Sequence, residues 1–83
     1  EKVRAEAQIL AERVRAEAEV NAKKIESEAK GKGAIAERVA KEAANKVRKE
    51  GDDAAKKVIS EADSQAKSLV ERAKVEADKL LQE

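Results

Sequence analysis

Small and aliphatic residues recur every eleven positions along most of the chain. The first column of this repeat holds mainly larger aliphatic residues, namely Val3, Val14, Ile25, Ala36, Val47, Val58, Leu69 and Leu80. The second column holds Ala7, Ala18, Ala29, Ala40, Gly51, Ala62 and Ala73, and the third holds Ala11, Ala22, Gly33, Ala44, Ala55, Ala66 and Ala77. Within each repeat the spacing is 4, 4 and 3 residues, which places all three columns on one side of an α-helix. We call these columns the hendecad stripe.

The eleven-residue period also predicts how such helices pack. Eleven residues in three turns favour straight or right-handed supercoiled helices over the left-handed heptad coil. Small side chains in two of the three columns allow two helix backbones to approach closely. The packing positions that the sequence predicts are Val3, Ala7, Ala11, Val14, Ala18, Ala22, Ile25, Val47, Val58, Ala62, Ala66, Leu69, Ala73 and Leu80.

The remaining faces are charged and favour helix. Acidic residues precede lysines by four positions repeatedly, as in Glu19–Lys23 and Glu37–Lys41. Each such pair adds about 0.3 kcal/mol to an isolated helix, and alanine has the highest helix propensity of all residues. The sequence therefore predicts helix over most of its length.

Two glycines interrupt this pattern. Gly31 and Gly33 flank Lys32, and holding both glycines in a helix would cost about 2 kcal/mol relative to alanine. Beyond them, Ile35 and Val39 occupy columns that elsewhere hold charged or polar residues. A chain reversal would explain these off-register residues as contacts of a new helix with a broader buried face. We therefore predict a turn at 31–33; the alternative is a partner chain beside an unbroken helix.

Gly51 is different because the repeat keeps its phase from Val47 to Val58. Gly51 can stand in the second column as a small residue inside a continuous helix. Alternatively, Gly51 followed by Asp52 and Asp53 can end one helix and cap the next. A break at 51–53 stays open, with continuous helix preferred.

The sequence thus predicts an all-α fold in a single unit, residues 1–83. Helices are expected at 2–30 and from 34 to 82, the second being divided into 34–50 and 54–82 if the break at 51–53 occurs. The architecture is an antiparallel hairpin or a small three-helix bundle, and the alternative is one continuous helix in a right-handed coiled coil. The arms on either side of the turn differ in length, so a missing N-terminal segment, a second break or self-association would be needed to cover the longer arm. Because the repeat is already under way at Glu1, we expect a fragment or processed form.

The composition argues against enzyme activity, metal binding and nucleic-acid binding. The chain has no His, Cys, Tyr, Trp or Phe, so it lacks the usual proton-shuttling and nucleophilic groups. Inward positions are alanine and valine, whereas a helical metal site needs inward carboxylates. We therefore expect no enzyme activity, no cofactor, no metal site and no small-molecule substrate. A net charge of +1 with mixed signs and no aromatic stacking residues argues against nucleic-acid binding.

Membrane contact is also not expected. No apolar run approaches the ~20 residues of a membrane span. Eleven-residue repeats with lysines beside an apolar face can lie on a lipid surface, but this stripe is poor in large apolar side chains. A further alternative is a protective protein that folds conditionally, which the regular Val, Ile and Leu positions argue against.

Residues 2–30, KVRAEAQILAERVRAEAEVNAKKIESEAK, resemble the right-handed, eleven-residue-repeat coiled coils of ATP synthase peripheral stalks. This resemblance implies a rod that resists torque, paired with a second helix through Val14, Ala18, Ala22 and Ile25. The whole chain is similar to small Ala-, Glu- and Lys-rich helical proteins of bacterial cell envelopes, whose functions are undefined. From the residues themselves we expect a structural scaffold or spacer that associates with itself or with another helical protein through the hendecad stripe. Its localisation stays open, with the bacterial envelope as one candidate.

Overall fold

The computed structural model describes residues 2–82, which form two α-helices joined by a short turn. Helix α1 spans Lys2–Ala29 and helix α2 spans Ala34–Gln82, and the described residues contain no strand. Early residues of α1 meet late residues of α2, as the Arg4–Asp63 ion pair shows, so the helices are antiparallel. The molecule is elongated, with extents of 76 × 15 × 8 Å. The predicted all-α class is confirmed.

The turn occupies residues 30–33, and α1 ends one residue earlier than the predicted Lys30. Gly31 has a φ of 81° and Gly33 a φ of 108°, a left-handed region that side chains with a Cβ avoid. The N–H of Gly31 donates a hydrogen bond to Oε1 of Glu37, and the N–H of Glu37 donates to the carbonyl of Gly33. The two glycines therefore allow the chain to reverse between the end of α1 at Ala29 and the start of α2 at Ala34.

Helix α2 continues without interruption through residues 51–53. The break left open at these residues is absent, and with it the three-helix bundle. Gly51 serves as the small residue of a continuous helix, because its Cα faces Ala18 of α1 at very close range. The alternative of one helix along the whole chain is not the form seen, since the turn at 30–33 separates two helices.

The core is a thin layer of alanines between the two helices. No large side chain is fully buried in the described chain. The larger aliphatic residues of the stripe, such as Val14, Ile25 and Val47, are half-buried at the edges of this layer. The buried apolar residues are Ala7, Ala11, Ala22, Ala40, Ala44, Ala55, Ala62 and Ala66.

The end of α2 extends beyond α1. Helix α2 has 49 residues and α1 has 28. Ala66 is the last buried residue of α2, and every described residue from Lys67 to Gln82 is exposed. This stretch, which we call the projecting segment (residues 67–82), corresponds to about 24 Å of helix.

Candidate functional site

The two helices approach each other closely at Gly51. A Cβ built on Gly51 would overlap the Cβ of Ala18 and would lie 3.8 Å from the Ala18 Cα and from the Val14 carbonyl oxygen. The nearest atoms therefore lie on or beside the α1 backbone, not at the end of a flexible side chain. Only glycine allows α2 to pass α1 at this distance.

This contact sets the register of the antiparallel pair. With Ala18 opposite Gly51, one step forward along α1 corresponds to one step back along α2. Val14 then falls opposite Ala55, and Ala22 falls opposite Val47. Each larger side chain is thus placed against an alanine of the other helix, which allows close packing along the whole pair.

The same stripe is uncovered in the projecting segment. Leu69 is 53% exposed and Leu80 is 73% exposed, although both stand in the first column with the half-buried Val47 and Val58. Ala73 and Ala77 are exposed as well. The predicted packing of Leu69, Ala73 and Leu80 is therefore not seen among residues 2–82, where no residue of α1 covers them.

Ile35 and Val39 are not packing contacts in the hairpin. Ile35 is 82% exposed and Val39 is 59% exposed. Both side chains lie off the hendecad stripe, on sides of α2 that do not meet α1. The prediction that they widen the buried face of α2 is therefore wrong for the single chain. The turn that their off-register positions predict is nevertheless present at residues 30–33.

A charged cluster around Arg48 connects the two helices. The Nε of Arg48 donates a hydrogen bond to Oε2 of Glu19 at 2.8 Å. Its Nη2 donates to Oε1 of Glu19 at 3.2 Å and to Oε1 of Glu26 at 2.7 Å. Nη1 donates to Oδ1 of Asn45 at 2.9 Å. This guanidinium thus bridges two acidic residues of α1, and charged hydrogen bonds of this kind favour one geometry and register.

Two further ion pairs cross the hairpin at equivalent places. Nε of Arg4 lies 3.0 Å from Oδ1 of Asp63, and Nε of Arg15 lies 3.1 Å from Oδ1 of Asp52. Sequence reasoning missed these residues. The signal was available, because the two arginines are eleven residues apart in α1 and the two aspartates are eleven residues apart in α2.

The ion pairs shift the pKa values of Glu19, Asp52 and Arg48. The hydrogen bond from Arg48 holds the pKa of Glu19 below its ordinary value of 4.5. Hydrogen bonds from Lys56 and then from Arg15 hold the pKa of Asp52 below its ordinary value of 3.8. Bonds to Glu19 and Glu26 raise the pKa of Arg48, which therefore stays protonated.

These shifts predict that acid weakens the hairpin. The pKa values of Glu19 and Asp52 are lower in the folded chain than in the unfolded chain. Their contribution to the free energy of unfolding is therefore present above about pH 4.5 and is lost as the pH falls through the folded pKa values. We expect the melting temperature, followed by circular dichroism, to fall between pH 7 and pH 3. The fall should be smaller in Glu19→Gln/Asp52→Asn and unchanged in a control, Glu12→Gln/Asp78→Asn, at exposed carboxylates. Equal falls in both variants would contradict this assignment.

The described surface offers little for a small ligand or an ion. Its depressions are open and shallow, and the one between the helices near the N-terminus of α1 measures about 290 Å³ and is lined in part by Val3, Leu10 and Val58. Among residues 2–82 no three acidic side chains are grouped closely enough to hold a metal ion. Neither α1 nor α2, as described, contains a stretch long and apolar enough to cross a membrane.

One apolar surface that the hairpin presents is the exposed continuation of the stripe on the projecting segment, with Val70, Val75 and Leu81 exposed nearby. Other large apolar residues are exposed outside this segment, namely Ile9, Leu10, Val20, Ile35 and Val39. Comparison with protein-family models, with curated proteins and with solved structures found no match to this chain.

Proposed function

We propose that this protein is a non-enzymatic structural module, a helical scaffold or spacer that associates through its hendecad stripe. The observation that carries the proposal is the difference between the two parts of that stripe in α2. Up to Ala66 the second- and third-column positions of α2 are buried against α1, whereas Leu69 and Leu80 are exposed on the projecting segment. The exposed part offers a second helix the surface that α1 covers elsewhere.

The geometry and composition support a spacer. The hairpin is 76 Å long and only 15 Å wide, and its two helices stiffen each other over the length of α1. Its catalytic repertoire is small, because the chain has no His or Cys and its carboxylates alternate with lysines and arginines along the exposed faces. The hairpin therefore has the two properties that a spacer needs, namely length and an end that can associate with another helix.

A rod of the peripheral-stalk kind is less favoured than the hairpin spacer. That interpretation requires the helix of residues 2–30 to continue, whereas α1 ends at Ala29 and two glycines with positive φ follow. A membrane-surface or conditionally folded protein would gain helix only with lipid or on drying. We expect a strongly helical circular dichroism spectrum in buffer alone; a weakly helical one would favour those alternatives.

Self-association through the projecting segment can be tested with matched substitutions. We expect Leu69→Glu/Leu80→Glu to lower the average mass measured by sedimentation equilibrium to that of one chain, because two carboxylates would have to be buried in the contact. The control Ser68→Glu/Gln82→Glu adds the same charge beside the stripe and should associate like the wild type.

Equal association of both variants would contradict the role of the exposed stripe. A wild type that stays monomeric at millimolar concentration would contradict self-association and leave another helical protein as the partner. Small-angle scattering of the monomer should give a maximum dimension near 76 Å, the length of the hairpin. A much shorter or variable dimension would contradict the spacer itself.

A further inference from the structure

The eleven-residue phase continues across the turn between the helices. Ile25, Ala36 and Val47 are eleven residues apart, as are Ala29 and Ala40, although residues 30–33 are not helical. A hairpin does not require this agreement, because α2 reverses direction and its packing face is set by the turn geometry. A single helix running through residues 30–33 would require it, since only an unbroken phase keeps the stripe on one side.

The register of the hairpin is compatible with two such straight helices. Counting forward along α1 and backward along α2 from the contact of Ala18 with Gly51 places Ala29 opposite Ala40. Four residues further along, the same register places Gly33 opposite Ala36. Two straight chains paired antiparallel in this register would therefore meet stripe against stripe through their centre, with small residues on both sides.

The polar contacts would also be kept. The pairs Arg15–Asp52 and Arg48–Glu19 depend on the register alone, so they would form between chains as they now form within one chain. The hairpin and the straight pair thus differ mainly at residues 30–33.

The turn is held by few interactions. Its hydrogen bonds among the described residues are Lys30 N–H to the Ser27 carbonyl, Lys32 N–H to the Ala29 carbonyl, Glu37 N–H to the Gly33 carbonyl and Gly31 N–H to the Glu37 carboxylate. A Cβ on Gly31 or Gly33 would meet no atom within 4 Å, so backbone conformation alone requires glycine there. Short connections of this kind are common hinges in domain swapping, in which identical elements are exchanged between copies.

We propose that the hinge at residues 30–33 opens and that a second copy of this chain is the partner of the opened form. Each chain then forms one helix over residues 2–82, and α1 of one copy packs on α2 of the other in the hairpin register. The resulting antiparallel dimer is about 140 Å long at 1.5 Å per residue. This form uses the buried part of the stripe, so it does not depend on the association through the projecting segment proposed above.

The test combines a hinge variant with a covalent reporter. In Gly31→Ala/Gly33→Ala, alanine disfavours the positive φ of the turn and favours helix, so the dissociation constant of the dimer should fall on the order of 10³-fold or more. The reporter is Ala7→Cys/Ala62→Cys, whose positions line one depression between the helices. A disulfide formed there links the helices within one chain in the hairpin and between two chains in the swapped dimer.

We expect the hinge variant to sediment as a dimer, to have a maximum dimension near 140 Å and to form reporter disulfides between chains. The control Gly31→Asn, in which the residue tolerates positive φ, should associate like the wild type, with disulfides inside one chain. In the otherwise wild-type reporter, refolded over a range of concentrations, the interchain fraction should rise with concentration. A hinge variant that stays a 76 Å monomer, dimerises with disulfides inside each chain or loses its helical spectrum would overturn the proposal, as would a wild-type interchain fraction that stays undetectable at millimolar concentration.

Discussion

Replacing Ala44 by aspartate is expected to destabilise the hairpin severely, whereas the same replacement at the neighbouring Ala43 should leave it folded. Ala44 is 0% exposed between the helices, and Ala43 is exposed on the outer side of α2. A carboxylate at 44 would be buried without a partner, which costs about 3 kcal/mol or more. At 43 the cost is about 0.7 kcal/mol, from helix propensity alone.

Thermal unfolding followed by circular dichroism measures this contrast. A loss of about 3 kcal/mol corresponds to a fall in melting temperature of ~12 to ~24 °C for a chain of this size, and the control should fall by only a few degrees. Ala55→Asp and Ala54→Asp repeat the comparison, since Ala55 is 0% exposed and Ala54 is exposed. Similar melting temperatures for the members of each pair would show that the stripe is not buried.

Gly51→Ala is expected to lower the free energy of unfolding, although the same change raises it in ordinary helices. Alanine is favoured over glycine inside a helix by about 1 kcal/mol. Here the new Cβ would overlap the Cβ of Ala18, so the helices would have to move apart. Overpacking costs about 1 to 3 kcal/mol, and the direct overlap of two Cβ atoms places this change in the upper part of that range. After the gain in helix propensity we expect a net loss of about 1 to 2 kcal/mol.

The reciprocal change supplies the control. In Ala18→Gly/Gly51→Ala the methyl group is moved from α1 to α2, the overlap is removed and the helix-propensity terms cancel. We expect denaturant unfolding to give a value near that of the wild type, with a coupling energy of at least about 1 kcal/mol between the two positions. A single Gly51→Ala variant that is more stable than the wild type would mean that the helices do not approach closely at this point.

Much of the local structure was predictable from sequence. Alanine content, paired charges and the eleven-residue period indicated helix, and the described chain is helical except at residues 30–33. Gly31 and Gly33 indicated the turn because two adjacent breaks of helix propensity are costly in a helix and harmless in a left-handed turn. The positions that the structure buries, such as Ala11, Ala44 and Ala55, lie in the small-residue columns of the repeat.

The role of Gly51 could not be decided from the sequence. A glycine followed by two aspartates fits a helix end and also fits a close contact, and local propensity does not distinguish them. The nearby Ala18 backbone decides the matter, because it leaves no room for a larger residue. The burial of Ile35 and Val39 was mispredicted for a related reason. Apolar residues off the stripe form a contact only if another part of the protein lies beside them, and within residues 2–82 both side chains are exposed.

By itself, the sequence determined which residues are helical, where the chain turns and which side of each helix is small and apolar. These are properties of a few consecutive residues and of helical periodicity. Only the tertiary structure decided which stretch of the stripe is covered, in which register and by which charged pairs. The physical reason is that one face of alanines resembles another, so the partner and the register are selected by chain connectivity, by the contact of Ala18 with Gly51 and by the Arg15–Asp52 and Arg48–Glu19 pairs across the hairpin. Leu69 and Leu80 belong to the same stripe and are exposed, because no described residue of α1 lies beside them.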